Sequence, residues 1–192
     1  IGDKLVRGLF LTHAHYDHIY GINRLVEYFP ECVIYTSLHG KEGLFSDKLN
    51  FSRYHNEPIV FQGKHIEVLN DGDEILLFPN VLLKAIYTPG HDWSCMSYYT
   101  NEVIFTGDSY IPKIKVITSF PKSNKIEAKV SLDRILKFCK TRDVYPGHNE
   151  IEKHNFLVAG EKRGSKRMLK AAAFTYVASV LTTLLQIFRL FL

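Results

Sequence analysis

The sequence predicts one α+β domain, on three observations. Short apolar runs of strand length recur through the first two thirds of the chain, most of them closed by Gly, Pro or Asp. One stretch, Ile126–Lys140, instead repeats Val130, Ile135, Leu136 and Cys139 at helical spacing. With 192 residues, 46% of them hydrophobic, the chain is long enough for one core and short for two.

Taken in order, Leu5–Leu11 reads as a strand, and Gly21–Tyr28 as a helix that turns Ile22, Leu25 and Val26 inward. Val33–Tyr35 reads as a strand and Leu38–Phe45 as a short helix. A second sheet is expected from strands at Ile59–Phe61, Ile66–Leu69, Glu74–Phe78, Val81–Thr88, Met96–Tyr99 and Val103–Thr106. The helix Ile126–Lys140 follows, then the short run Asp143–Tyr145 and a short helix at Ile151–Ala159.

The loop after the first strand carries the chemistry. In Thr12-His-Ala-His-Tyr-Asp-His18, His13, His15, Asp17 and His18 place four metal-ligating side chains within six positions. Alternate residues of an extended chain share a face, so His13 and His15 point together while Asp17 and His18 come around the turn. One ion cannot take all four from so short a loop, so the spacing favours two adjacent ions. Imidazole nitrogen mixed with carboxylate oxygen suits zinc, iron or manganese rather than calcium or magnesium. A solvated histidine-rich loop is the alternative, but chance rarely packs ligands this densely.

Three further loops repeat the arrangement. Thr88-Pro-Gly-His91 follows Val81–Tyr87, Thr106-Gly-Asp108 follows Val103–Phe105, and Tyr145-Pro-Gly-His148 closes Asp143–Tyr145. Each sets a His or Asp just past a strand end, where a rigid sheet can present it to a shared cleft. A lone Pro-Gly-His is usually an ordinary turn; four such loops in one chain are a strong signal.

This order of motifs resembles the metallo-β-lactamase superfamily, and within it the branch of hydroxyacylglutathione hydrolase (glyoxalase II). The resemblance runs from about Leu5 to about Val158 and includes Leu49-Asn-Phe-Ser52 and Asp71-Gly-Asp-Glu74. It implies an αββα sandwich with two divalent ions, zinc first and iron or manganese as alternatives, in a cleft at the sheet edges. It assigns His13, His15 and His91 to one ion, Asp17, His18 and His148 to the other, and Asp108 to a bridge. True β-lactamases of the superfamily generally lack that aspartate, so Asp108 argues against antibiotic hydrolysis. A hydroxide held between two dications would be the nucleophile, aimed by Asp17. Cys95 reads as a small buried residue, and His39, His55, His65 and His154 as surface or structural histidines.

The chain departs from the family in three places. Only twelve residues precede His13, which implies an incomplete first sheet, or an excerpt, and an open strand edge that invites self-association. The third-histidine loop reads Pro89-Gly-His-Asp-Trp-Ser-Cys95, and Ser109–Ser123 replaces the usual element after Gly-Asp. The helical domain that holds glutathione in glyoxalase II is also absent.

The expected organisation is a domain at 1–159, a basic linker at 160–170 and a hydrophobic helical tail at 171–192. The uncharged run Ala171–Phe188 is near the lower limit for a bilayer span, about 17–25 residues. Basic residues before it would hold that end in the cytoplasm. Thr175, Ser179, Thr182, Thr183 and Gln186 share one helical face, which suits a helix packed on protein or lying on a membrane equally well. Cys32, Cys95 and Cys139 form no disulfide framework and point to a reducing compartment. A net charge of +4 without a basic aromatic face argues against nucleic acid. The expected function is hydrolysis of a small ester or thioester. The alternatives are a mononuclear iron persulfide dioxygenase, which shares the motif order, and an inactive truncated member.

Overall fold

The computed structural model describes residues 5–148. The expected helix at Ile151–Ala159, His154, the linker and the tail lie outside the described residues. Two sheets organise the rest. The first is parallel, with β1 (Gly8–Phe10), β2 (Val33–Thr36) and β3 (Ile66–Val68) in that order. The second runs β4 (Glu74–Phe78), β5 (Val81–Tyr87), β6 (Met96–Tyr99), β7 (Val103–Gly107) and β8 (Asp143–Pro146). Its first three pairings are antiparallel and β7–β8 is parallel. The helices are α1 (Tyr16–Ile19), α2 (Ile22–Tyr28), α3 (Leu38–Leu44) and α4 (Lys125–Cys139).

Two cores hold these layers. Ile19, Ile22, Val26 and Leu44 from α1–α3 pack with Leu11 and Ile34 of the first sheet region. Between the sheets, Leu83, Ala85, Met96 and Tyr98 meet Phe10 and Tyr35. Phe10 stacks on Tyr35 at 4.4 Å and meets Tyr98 edge-on at 5.5 Å, so aromatic rings stitch one sheet to the other. Among the described residues no helix is long and apolar enough to cross a membrane.

Three expectations are corrected. Ile59–Phe61 is not a strand, although Ile59 and Phe61 are buried and Val60 exposed, as in one. Side chains rather than a neighbouring strand satisfy its backbone. Ser52 Oγ accepts from Ile59 N, Asn50 Nδ2 donates to Ile59 O, and Asn23 donates to Val60 O while accepting from Gln62 N. The apolar run is legible in the sequence; the pairing partner is not. The Ile66 strand is the second correction, for it pairs parallel with β2 in the first sheet.

The third correction concerns α4. Its buried stripe is Ala128, Ser131 and Ile135, while Val130 is 56% and Leu136 39% exposed. Polar anchors set the helix's rotation. Asn124 caps the first turn, Ser131 Oγ donates to Pro89 O, and Arg134 reaches Tyr87 O and the Asp71 carboxylate. Those contacts turn the Ala128 side of the helix toward Gly90.

Asn50 is fully buried and also donates to Gly43 O while accepting from Ser52 N, so one amide ties three segments together. Asn50→Ala would strand those buried partners and should cost about 2–4 kcal/mol, given the penalty for unsatisfied buried groups. A urea midpoint unchanged from wild type would contradict this.

Candidate metal centre

The histidine loop leaves β1 and crosses toward the second sheet. Leu11 N still donates to Tyr35 O, but Thr12 O accepts from Met96 N and Leu11 O from the Tyr98 hydroxyl. The chain is thereby fixed just before His13. At His15 it turns into α1, with His18 N donating to His15 O, and this turn swings Asp17 and His18 to the other side of the cleft. That short helix was read from the sequence only as a turn.

The remaining loops enter from the second sheet, and glycine makes their approach possible. Gly90 has φ +134°, and a Cβ there would lie 2.2 Å from the Ala128 backbone nitrogen. At Gly147 a Cβ would lie 2.5 Å from Asp108 Oδ1 and 2.8 Å from the His18 ring. The Pro-Gly-His loops therefore need glycine so that the histidine can be brought against its neighbours.

All seven side chains singled out in the sequence converge in overlapping trios. Donor atoms of His13, His15 and His91 lie within 4.8 Å of one another, as do those of His13, His18 and Asp108, and those of Asp17, His18 and His148. Asp108 faces both sides, with Oδ2 3.6 Å from His91 Nε2 and Oδ1 3.6 Å from both His18 Nε2 and His148 Nε2. His148 Nε2 is 3.0 Å from Asp17 Oδ2. His13, His15, His91 and Asp108 are buried, whereas Asp17 keeps about half its side chain in solvent.

Hydrogen bonding outside the cleft fixes which ring nitrogens face inward. His91 Nδ1 donates to Ile117 O at 2.9 Å, which turns its Nε2 toward the cleft. His15 Nε2 lies 3.3 Å from Asp92 Oδ2, which places the carboxylate behind the ring and His15 Nδ1 toward the cleft. These two nitrogens stand 3.2 Å apart. At that distance the two nitrogens can share either a proton or a cation. His13 Nε2 is also buried without a hydrogen-bond partner. This donor set fits a borderline cation with nitrogen and oxygen ligands.

Electrostatics agree. Burial, and then the neighbouring His18, His15, His91 and His148, hold His13 well below the usual histidine value. Burial also lowers His18, against the pull of Asp17 and Asp108. Burial would raise Asp17, but its hydrogen bond with His148 and the surrounding histidines outweigh that and keep it ionised. Neutral imidazoles and charged carboxylates are the protonation states that bind metal. Cys95 is buried and its thiol is pushed far up by burial and by Asp92, so it is no nucleophile. His39 stacks on Trp93, His55 stacks on Tyr16, and His65 sits near Glu31, and none of the three belongs to the trios.

Sequence reasoning missed the support around these rings. Asp92 is buried; its Oδ1 accepts from Ser94 N at 2.9 Å and Ser94 Oγ at 2.5 Å. Ser94 Oγ in turn accepts from Ala14 N, between the first two histidines. Asp92 directly follows His91, so a carboxylate beside a ligand was the available signal. Phe51 and Phe120 form an apolar wall, with rings 4.9 and 5.0 Å from His15. Phe51 has φ 63°, a left-handed backbone that costs energy for a residue with a side chain.

The metallo-β-lactamase superfamily profile matches residues 1–148. A second profile, described as "Putative neutral zinc metallopeptidase", matches residues 147–192. Among curated proteins, glyoxylase B2 of Dictyostelium discoideum is 26% identical over 166 residues, 83% of this chain and 56% of that one. The hydroxyacylglutathione hydrolase of Buchnera aphidicola (subsp. Acyrthosiphon pisum) is 26% identical over 138 residues, 62% of this chain and 45% of that one. The chain thus spans about half the length of these relatives. A crystal structure of TTHA1623 in a di-iron-bound form has the same fold, with a TM-score of 0.62 at 23% identity, covering 74% of this chain and 69% of that one.

Two outcomes follow from this geometry. As pH falls through about 6.5, the unfolded chain takes up protons at His13 and His18 that the folded protein, with lowered values, does not. Metal-free protein should therefore hold its full stability above that pH and lose it progressively below, read as a falling melting temperature from pH 7.5 to 5.5. A flat or rising profile would refute it. Asp92→Asn should weaken divalent-metal affinity by roughly tenfold to a hundredfold, the usual effect of losing a carboxylate behind a ligating histidine. Chelator competition measures it, and unaltered affinity would make the Asp92 contact incidental.

Proposed function

The chain belongs to the metallo-β-lactamase superfamily, and from that premise we propose that it is a dinuclear metal hydrolase of a small ester or thioester. The observation that carries this reading is the convergence of histidine nitrogens in two trios beside an aspartate whose two oxygens face separate clusters. His13, His15 and His91 would hold one ion and Asp17, His18 and His148 the other, with one oxygen of Asp108 directed to each. Bound ions of this kind polarise a carbonyl oxygen and bring the pKa of water toward neutrality.

The chain's own residues supply the rest. Asp17 is ionised and half-exposed, so it accepts a hydrogen bond from the attacking water and aims it; so depressed a carboxyl is a better orienter than a base. The Phe51–Phe120 wall closes one side of the cleft against water and offers an apolar surface to an acyl group. The thioester is favoured because one relative bears the name hydroxyacylglutathione hydrolase. Zinc is the first choice of metal from the mixed nitrogen and oxygen donors, and iron or manganese would be accepted by the same set.

Metal counting on matched samples tests the reading. Asp108→Ala should reduce bound metal from two ions toward one or none and abolish thioester hydrolysis. His18→Ala should weaken the second ion and spare the first, because His13, His15 and His91 remain. A protein that holds a single iron and consumes O₂ with a persulfide would replace this reading with the dioxygenase.

A further inference from the structure

A cavity of about 470 Å³ lies between the loop after Asp108 and the first half of α4, and none of the seven clustered side chains lines it. That volume is in the range of small-molecule pockets, about 300–1,000 Å³. Ile111 and Ile114 form an isolated antiparallel bridge around a turn that puts Lys113 in the left-handed region, φ 63°. This folding turns both isoleucines to the cavity, where Val116 and Leu132 complete an apolar floor.

The charged side chains that line it are all basic. Lys113 and Lys115 come from the loop, and Lys125 and Lys129, one turn apart, come from α4. No acidic side chain among the described residues lines the cavity, and none pairs with Lys115, Lys125 or Lys129. An apolar floor under converging ammonium groups is complementary to a chain that is apolar along its length and anionic at one end.

We propose that this cavity binds a free single-chain amphiphile with a carboxylate head, of the medium-chain fatty-acid type. Its alkyl chain lies on Ile111, Ile114, Val116 and Leu132, and its carboxylate is held by Lys115, Lys125 and Lys129. The site is separate from the metal cluster, so it stands whether or not the chain hydrolyses thioesters.

The test is calorimetric titration of the full chain with decanoate at low ionic strength. Saturable one-to-one binding is expected, with octanoate weaker by up to roughly tenfold for two fewer buried methylenes. The double variant Lys125→Glu/Lys129→Glu should weaken decanoate roughly tenfold while leaving decanol unchanged. Both lysines are exposed, so metal content and melting temperature should stay at wild-type values. Lys115→Glu, on the opposite wall, provides an independent charge reversal with the same expected direction. Absence of saturable decanoate binding would overturn the proposal, as would equal binding by the charge-reversed variants. Capture by phosphatidylglycerol vesicles without binding of free decanoate would also overturn it, making the lysines a surface patch.

Discussion

The burial of several imidazoles and a carboxylate in one small space is the constraint around which the described domain is built. His15 and His91 each have an acceptor behind the ring, Asp92 for one and the Ile117 carbonyl for the other, and they face each other at 3.2 Å. Asp108 adds a buried carboxylate to the same space. Packing such groups together is unfavourable by itself, because desolvation and like polarity both count against it. The loops that deliver them nevertheless close tightly, with glycine wherever a Cβ would collide. That combination makes sense around positive charge, which turns each of these costs into an attraction.

Much of this was legible in the sequence because it is encoded locally. The apolar run Val81–Tyr87 and the Gly or Pro that ends such runs are properties of neighbouring residues, and they located the loops. The seven candidate side chains were readable for the same reason, each sitting at a marked strand end. What escaped depends on partners distant in the chain. Ile59–Phe61 has the periodicity of a strand, but Asn50, Ser52 and Asn23 take its hydrogen bonds. The rotation of α4 follows Pro89, Tyr87 and Asp71, so apolar spacing pointed partly to the wrong face.

The same distinction applies to the site. A ligand announces itself by residue type, but the groups that orient it do not. Asp92 looked like a departure in the third-histidine loop, yet it holds His15 and, through Ser94, the backbone between His13 and His15. Phe51 looked like an ordinary residue of Leu49-Asn-Phe-Ser52. Its strained backbone is explained only once its ring is seen against His15 and Phe120.

The centre also straddles a seam. His13, His15, Asp17 and His18 follow a strand of the first sheet, while His91, Asp108 and His148 follow strands of the second. The sheets otherwise meet through Phe10, Tyr35 and Tyr98 and through the bonds from Leu11 and Thr12. Each half of the protein therefore owns only part of a ligand shell, and the shell exists only while the halves are in register. A small slip of one sheet past the other, set by an aromatic ring outside the ligand set, would read out as a change in what the cleft can hold. The site doubles as a gauge of how well the sandwich is assembled.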